Sequence, residues 1–241
     1  MKQSKLKILG LIPARGGSKG IKKKNIVPLA GKPLIFYTIK AAQGSSLLTD
    51  CIVSTDDKEI ADAAVGYGMK VPFLRPPELS GDEARVQDVA FHTLKEYCNG
   101  AFDYLLLLQP TAPFRTSEDI DESIRLADQH NACSVVSFTH VETYHPYYMY
   151  RLEKSGSPGL PSRVSQAFDY EVGMPRQQFP SMVYRNGAIY LTKTSYLREK
   201  ESFVSENVVP YIMPPQRSVN IDTIEDMQYA EFLISQKLKG K

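Results

Sequence analysis

Five of the ten residues from Arg15 to Lys24 are basic: Arg15, Lys19, Lys22, Lys23 and Lys24. The loop Ala14-Arg-Gly-Gly-Ser-Lys-Gly20 comes directly after an apolar run. It matches neither GxxxxGK[ST] nor GxGxxG. Its chemistry is still that of an anion cradle. Gly16, Gly17 and Gly20 let backbone N–H groups approach an oxyanion closely. Arg15, Lys19 and Lys24 add fixed positive charge, and Arg can grip a phosphate through two donors. The competing reading is a solvated basic turn. The position after a buried strand favours phosphate, and a triphosphate suits this density of cation. Lys22 and Lys23 are then solvated, or add only to the attracting field.

Three further stretches carry polar side chains that could serve such a ligand. Gln109-Pro-Thr-Ala-Pro-Phe-Arg115 ends the most apolar run of the chain. There Gln109 would point into a ligand crevice and Arg115 would meet an anion, or the stretch is a rigid turn with Thr116 or Ser117 as N-cap. In Val219-Asn-Ile-Asp-Thr223, Asp222 is placed to ligate a divalent ion. Asn220 lies two residues away, on the same side of an extended segment. Alternatively, Asp222 only supports the N-terminus of the last helix. Arg75, in Arg75-Pro-Pro-Glu-Leu-Ser-Gly-Asp82, would meet a base or a phosphate, or belongs to an exposed, proline-fixed loop. His92, His130, His140 and His145 have no spacing that suggests a metal site or a triad. No Ser or Cys sits in a nucleophile-elbow setting.

These loops need a frame. Leu6–Pro13 reads as a strand buried on both faces. A helix opens at Lys32-Pro33 and closes near Gly44. Asp50–Thr55 is a strand, Lys58–Gly66 a helix, Val71–Leu74 a third strand and Glu83–Tyr97 a helix. Asp103–Gln109 is a buried strand, Ser117–His130 a helix and Cys133–Phe138 another strand. After residues 139–185 the regular pattern returns with strands Ala188–Leu191 and Val208–Met213. A last helix begins at Thr223, whose spacing to Asp226 is that of a capping box. Its buried face would be Ile224, Met227, Ala230 and Ile234. The alternation predicts a doubly wound, mostly parallel α/β sheet. In such a sheet, ligands sit beyond the carboxyl ends of the strands. Residues 139–185 break the rhythm with clustered Tyr and Pro, as a lid or association element would.

Composition narrows the function. The chain has 241 residues, with 29 Lys+Arg against 27 Asp+Glu. A net charge of +2 argues against coating nucleic acid or a membrane by bulk electrostatics. Cys51, Cys98 and Cys133 are widely spaced, which fits a reducing cytoplasm better than a disulfide scaffold or a zinc site. The run Ile8 to Ala14 is too short for a secretion signal, and no run approaches the roughly 20 residues of a membrane span. The expectation is one cytoplasmic domain over 1–241, with 139–185 as an inserted excursion.

Six ordered blocks carry a resemblance. They are Ile12-Pro-Ala-Arg-Gly-Gly-Ser-Lys-Gly20 with Lys24-Asn25, Ser54-Thr-Asp-Asp57, Arg75-Pro with Leu79 and Asp82, Leu108-Gln-Pro-Thr-Ala-Pro-Phe-Arg115, Arg185-Asn-Gly-Ala-Ile-Tyr190 and Ile221-Asp-Thr223. From about residue 8 to 235 the chain resembles the acylneuraminate cytidylyltransferases, or CMP-sialic acid synthetases. The resemblance implies a Rossmann-like nucleotidyltransferase fold, CTP as co-substrate, Mg²⁺, a nine-carbon 2-keto sugar acid as acceptor and a homodimer joined through 139–185. It assigns Ala14, Arg15, Gly16, Gly17, Ser18, Lys19, Lys24 and Asn25 to the triphosphate loop and Arg75 to the neighbourhood of the cytosine. It assigns Gln109, Arg176, Asn186 and Tyr190 to the sugar acid. Asp222 is implied as the metal ligand, with Asn220 where the family often has a second acid. Arg15, Lys19 and Asp222 would carry the chemistry. Kdo cytidylyltransferases have a Gly-Asp-Glu-Pro turn where this chain has Gln109-Pro-Thr, which weighs against Kdo. The rivals are a non-catalytic nucleotide-binding protein and an RNA-binding protein.

Overall fold

The computed structural model describes residues 6–18, 20–98, 101–141, 143–153 and 163–239. The chain divides into two compact units, residues 1–138 with 185–241, and residues 139–184. The first strand, β1 (Ile8–Pro13), is buried along nearly its whole length. It pairs in parallel with β4 (Asp50–Ser54) on one side and β5 (Tyr104–Leu107) on the other. The remaining sheet strands are β6 (Ser134–His140), β9 (Val183–Lys193) and β10 (Val209–Ile212), giving the order β10-β6-β9-β5-β1-β4. Strand β10 is parallel to β6, and β9 is antiparallel to β5. The expected α/β architecture is present, as a mixed and mostly parallel sheet.

Alternation along β1 assigns its side chains to the two faces of the sheet. Ile8 and Ile12 enter one core with Ile35 and Ile39 of α1 (Leu34–Gly44) and Ile120 and Ile124 of α4 (Ser117–Gln129). Leu9 and Leu11 enter the other with Ala90 of α3 (Val86–Thr93), and with Leu94, Leu197 and Phe203. Each fully buried Leu or Ile contributes about 1.5–3 kcal/mol, so a strand with no polar residue is what two covered faces demand.

Several elements differ from expectation for identifiable reasons. Val71–Leu74 makes only isolated bridges, Ile52 with Lys70 and Thr55 with Leu74. Pro72 has no N–H with which to continue a ladder. Lys32–Pro33 (β3) pairs with Pro28–Leu29 (β2), so α1 starts only at Leu34. The helix expected from Glu83 starts at Val86 and ends in a π turn, Leu94–Cys98. The cap of α4 is Thr116, not Ser117; it forms a capping box with Asp119. Helix α2 (Lys58–Gly66) is as expected, capped by Asp57. A short α5 (Thr194–Lys200) follows β9 without having been expected. In α6 (Ile224–Lys239), Met227 and Ala230 are buried but Ile224 is exposed. Thr223 and Asp226 do form the capping box.

The unit 139–184 has an antiparallel hairpin of its own, β7 (Tyr150–Glu153) with β8 (Arg163–Gln166). A cluster of rings accompanies it: Tyr147 stacks on Tyr170 at 4.8 Å, and His145 lies 4.7 Å from Phe179. Among the described residues, no helix is long and apolar enough to cross a membrane.

Candidate active site

Beyond the carboxyl ends of β1 and β5 lies a cleft of ≈ 340 Å³. Chain order turns at β1, since β4 lies on one side of it and β5 on the other. This is the topological position where a doubly wound sheet opens a crevice for ligands. Pro13, Arg15, Ser18, Gly20, Lys24 and Asn25 form one wall, and Gln109, Pro110, Thr111 and Asp222 the other. The basic loop and the two downstream blocks therefore meet, as their sequence positions foreshadow.

The loop is held from below. Ala14 N–H donates to Ser54 O at 2.9 Å, continuing the β1–β4 ladder, and buried Asn25 donates from Nδ2 to Arg15 O at 2.9 Å. Gly16 N–H does not face a ligand; it donates to Asp56 Oδ1 at 3.0 Å. Arg15 donates from Nη1 to Gly81 O at 2.9 Å and lies 3.2 Å from Asp82, which draws the 75–82 loop to the basic loop. Arg75 is 5% exposed, with Nη2 3.4 Å from Asp56 Oδ1 and Nε without a partner. Burial lowers its pKa, and the Asp56 carboxylate opposes that shift. Lys23 pairs with Glu59, and Lys22 is exposed, so neither turns to the cleft. Lys19 lies outside the described residues.

Opposite the loop, Asp222 is exposed, yet both its carboxylate oxygens are engaged. Lys24 Nζ donates to Oδ1 at 2.8 Å and to Ile221 O at 2.9 Å, and Asn220 Nδ2 donates to Oδ2 at 2.5 Å. Asn220 Oδ1 is buried with no hydrogen-bond partner. The loop and this segment touch so closely that a Cβ on Gly20 would lie 2.6 Å from Asp222 O. Gly187, at φ +77°, leaves room for two neighbouring amides: a Cβ there would lie 3.2 Å from Gln109 Oε1 and 3.5 Å from Asn220 Oδ1.

Asn186 and Tyr190, also expected at the site, are held within the fold. Asn186 is buried, and its amide is engaged on both sides. Oδ1 accepts from Ser137 Oγ and Ala188 N–H, while Nδ2 donates to Ser218 Oγ and Met213 Sδ. It ties β9 to the segment that carries Asn220 and Asp222. Tyr190 packs into the core beside Phe203, and burial raises its pKa. Arg176 begins a short helical turn in the unit 139–184 and is exposed. Arg115 meets no anion. It is buried, donates to Ala188 O, Thr38 Oγ1 and Gln109 O, and has its pKa lowered by burial to about 10. It braces the strand-to-helix turn from inside. Sequence reasoning left Asp56 without a role, although it quoted the Ser54–Asp57 block that contains it.

Comparison with known proteins agrees with this geometry. Residues 9–237 match the cytidylyltransferase family. The chain is 36% identical over 233 residues to the CMP-N,N'-diacetyllegionaminic acid synthase of Legionella pneumophila, covering 95% of this chain and 97% of that one. It is 31% identical over 232 residues to the pseudaminic acid cytidylyltransferase of Campylobacter jejuni, covering 95% and 96%. It is 37% identical over 230 residues to the N-acylneuraminate cytidylyltransferase of Streptococcus agalactiae, covering 92% of this chain but only 52% of that protein. This chain thus spans about half the length of the streptococcal relative. In fold it is similar to a CMP:2-keto-3-deoxy-manno-octonic acid synthetase solved with CTP, at TM-score 0.70 and 16% identity over 96% of this chain and 99% of that one. With a family match over nearly its whole length and relatives of 31–37% identity, the chain belongs to the cytidylyltransferases, as a nucleotidyltransferase of the acylneuraminate type.

Proposed function

We propose that this protein activates a nonulosonic acid with CTP, giving the CMP-sugar and pyrophosphate. The observation that carries the reading is the cleft itself. Its cationic wall, Arg15 and Lys24, faces a wall that carries the Asp222 carboxylate and the Gln109 amide. The relatives named for legionaminic, pseudaminic and N-acylneuraminic acids support a nine-carbon acceptor.

In this reading the anomeric hydroxyl attacks the α-phosphorus of CTP in line and pyrophosphate leaves. Such transfer depends on positioning and charge neutralisation more than on covalent chemistry. Arg15, Lys24 and Lys19 neutralise the triphosphate. Ser18 and the loop amides beyond Gly16 orient it, and Arg75 stands on the base side. Gln109 bonds the acceptor from the cleft wall. Asn186 and Tyr190 support the strand behind the site. The donors at 220–222 fit Mg²⁺: an exposed carboxylate and a buried amide oxygen without a partner are both hard oxygen ligands. Asp222 and Asn220 would hold the ion, which when bound supplies charge stabilisation at the phosphates and acidifies a nearby hydroxyl. The reaction belongs to the cytoplasm, and the unit 139–184 joins two copies of the chain.

The test is pyrophosphate release with CTP, Mg²⁺ and, separately, N-acetylneuraminic, legionaminic and pseudaminic acids. One acid should be strongly preferred. If none supports release above the acid-free control, the proposed function is wrong.

A further inference from the structure

We infer that Asp56 is a positioning residue that locks the phosphate loop and Arg75 into one register, and so determines how tightly the site holds CTP. The inference rests on the CTP-dependent reading above. Asp56 and Asp57 are adjacent and chemically identical, yet they do different work. Asp57 accepts from the Glu59 and Ile60 N–H groups and caps α2. Asp56 faces the other way. One oxygen, Oδ1, accepts from Gly16 N–H at 3.0 Å and sits 3.4 Å from Arg75 Nη2. The two partners come from the loops after different strand positions, 40 and 19 residues away in sequence.

The contacts around Asp56 leave it little freedom. A Cβ on Gly16 would lie 2.8 Å from Asp57 Cβ, so the loop is seated on this dipeptide. Arg75 N–H donates to Thr55 O at 2.7 Å, fixing the arginine's backbone one residue from Asp56. The guanidinium is buried near like-charged Arg15, and Asp56 is the anion beside it. A buried cation deprived of its partner is strongly disfavoured. Loss of Asp56 would therefore displace Arg75, or release the loop at Gly16, or both. Each outcome disturbs the nucleotide half of the site and spares the acceptor half. Oδ1 serves two needs at once: the neutral Gly16 amide needs an acceptor held in place, and the buried Arg75 guanidinium needs the charge.

Three variants of the full chain test this: Asp56→Ala, Asp56→Asn and Asp56→Glu. Asparagine keeps the oxygen where it is and loses the charge; glutamate keeps the charge and moves the oxygen by one methylene. CTP binding is read by calorimetry without acceptor, and KM and kcat are read from pyrophosphate release. Asp56→Ala and Asp56→Glu should each weaken CTP about tenfold or more, the scale of a lost hydrogen bond to a charged group. The acceptor KM should stay within about twofold. Asp56→Asn, which keeps an acceptor for Gly16 but removes the charge beside Arg75, should weaken CTP by about threefold to tenfold. The inference is overturned if Asp56→Glu binds CTP like the parent, if Asp56→Asn does, or if acceptor and CTP KM rise in parallel. Should Asp56→Ala fold poorly, the Asn and Glu pair still decides. A parent chain that binds CTP yet releases no pyrophosphate with any acid would sink the proposed function and leave this binding test standing.

Discussion

Asp222 lies where three lines of contact converge: the Lys24 ammonium, the Asn220 amide and the glycine of the basic loop. If it holds the ion at the phosphates, Asp222→Asn should lower kcat by about 100-fold or more, since metal charge stabilisation is worth several kcal/mol. Pyrophosphate release across a Mg²⁺ titration checks this, and an unchanged rate at limiting Mg²⁺ would remove Asp222 from the role. Gly20 offers an independent probe of the same place. Its added Cβ would meet backbone, not a movable side chain, 2.6 Å away. Gly20→Ala should therefore push the loop from the 221–222 segment and reduce activity with little change in melting temperature; full activity would mean that the two segments need not touch. At this scale the sequence was partly readable. Arg15, Lys24 and Asp222 stood out by type and spacing. Asp56 did not, because nothing in the pair Asp56-Asp57 says which will cap a helix and which will turn to the loop. Arg115 could be read as an anion ligand or as part of a rigid turn, and only its burial decides for the turn.

The segment that bears Asn220 and Asp222 is anchored to helix α4 by a buried carboxylate. Asp119 is 1% exposed and accepts from Tyr211 Oη at 2.7 Å, from Arg217 Nη2 at 2.8 Å and from Thr116 N–H at 2.9 Å. Burial alone would raise its pKa, but these donors more than offset that and hold it below the ordinary value of 3.8. A carboxyl held low in the fold adds stability above its unfolded pKa, and that stability is lost as pH falls through the lowered value. Asp119→Ala should therefore cost about 2–3 kcal/mol near pH 7, less than a wholly buried pair because Arg217 is partly exposed. The gap to the parent should close below pH 3.8. Urea unfolding at both pH values measures it, and an equal gap at both would exclude the ionic contribution. Strands and long helices were readable because burial on two faces leaves continuous apolar runs. The failures came where local chemistry overrode pattern: Pro72 in a would-be strand, and Ile224 left exposed in the first turn of α6.

At the scale of the whole chain, the interrupted rhythm at 139–185 marked a separate unit, but no periodicity announced the hairpin within it. Leu152 and Val164 face one another across that hairpin and are 66% and 63% exposed. If this unit joins two copies, Leu152→Asp with Val164→Asp should convert a dimer to a monomer in light scattering. A dimer that survives both changes would assign the contact elsewhere. Which acid the site would take is the least readable property, because no repeated pattern in the sequence encodes it. The Lys24–Asp222 ion pair has a consequence for the molecule's energetics. An ammonium and a divalent cation would compete for the same carboxylate oxygen, while a triphosphate competes with that oxygen for the ammonium. Nucleotide and cation are then linked ligands, each raising the affinity for the other by the same factor. In thermal scans, Mg²⁺ alone should leave the melting temperature nearly unchanged. Mg²⁺ and CTP together should raise it by more than the sum of their separate effects, because each removes the partner that the other's ligand holds.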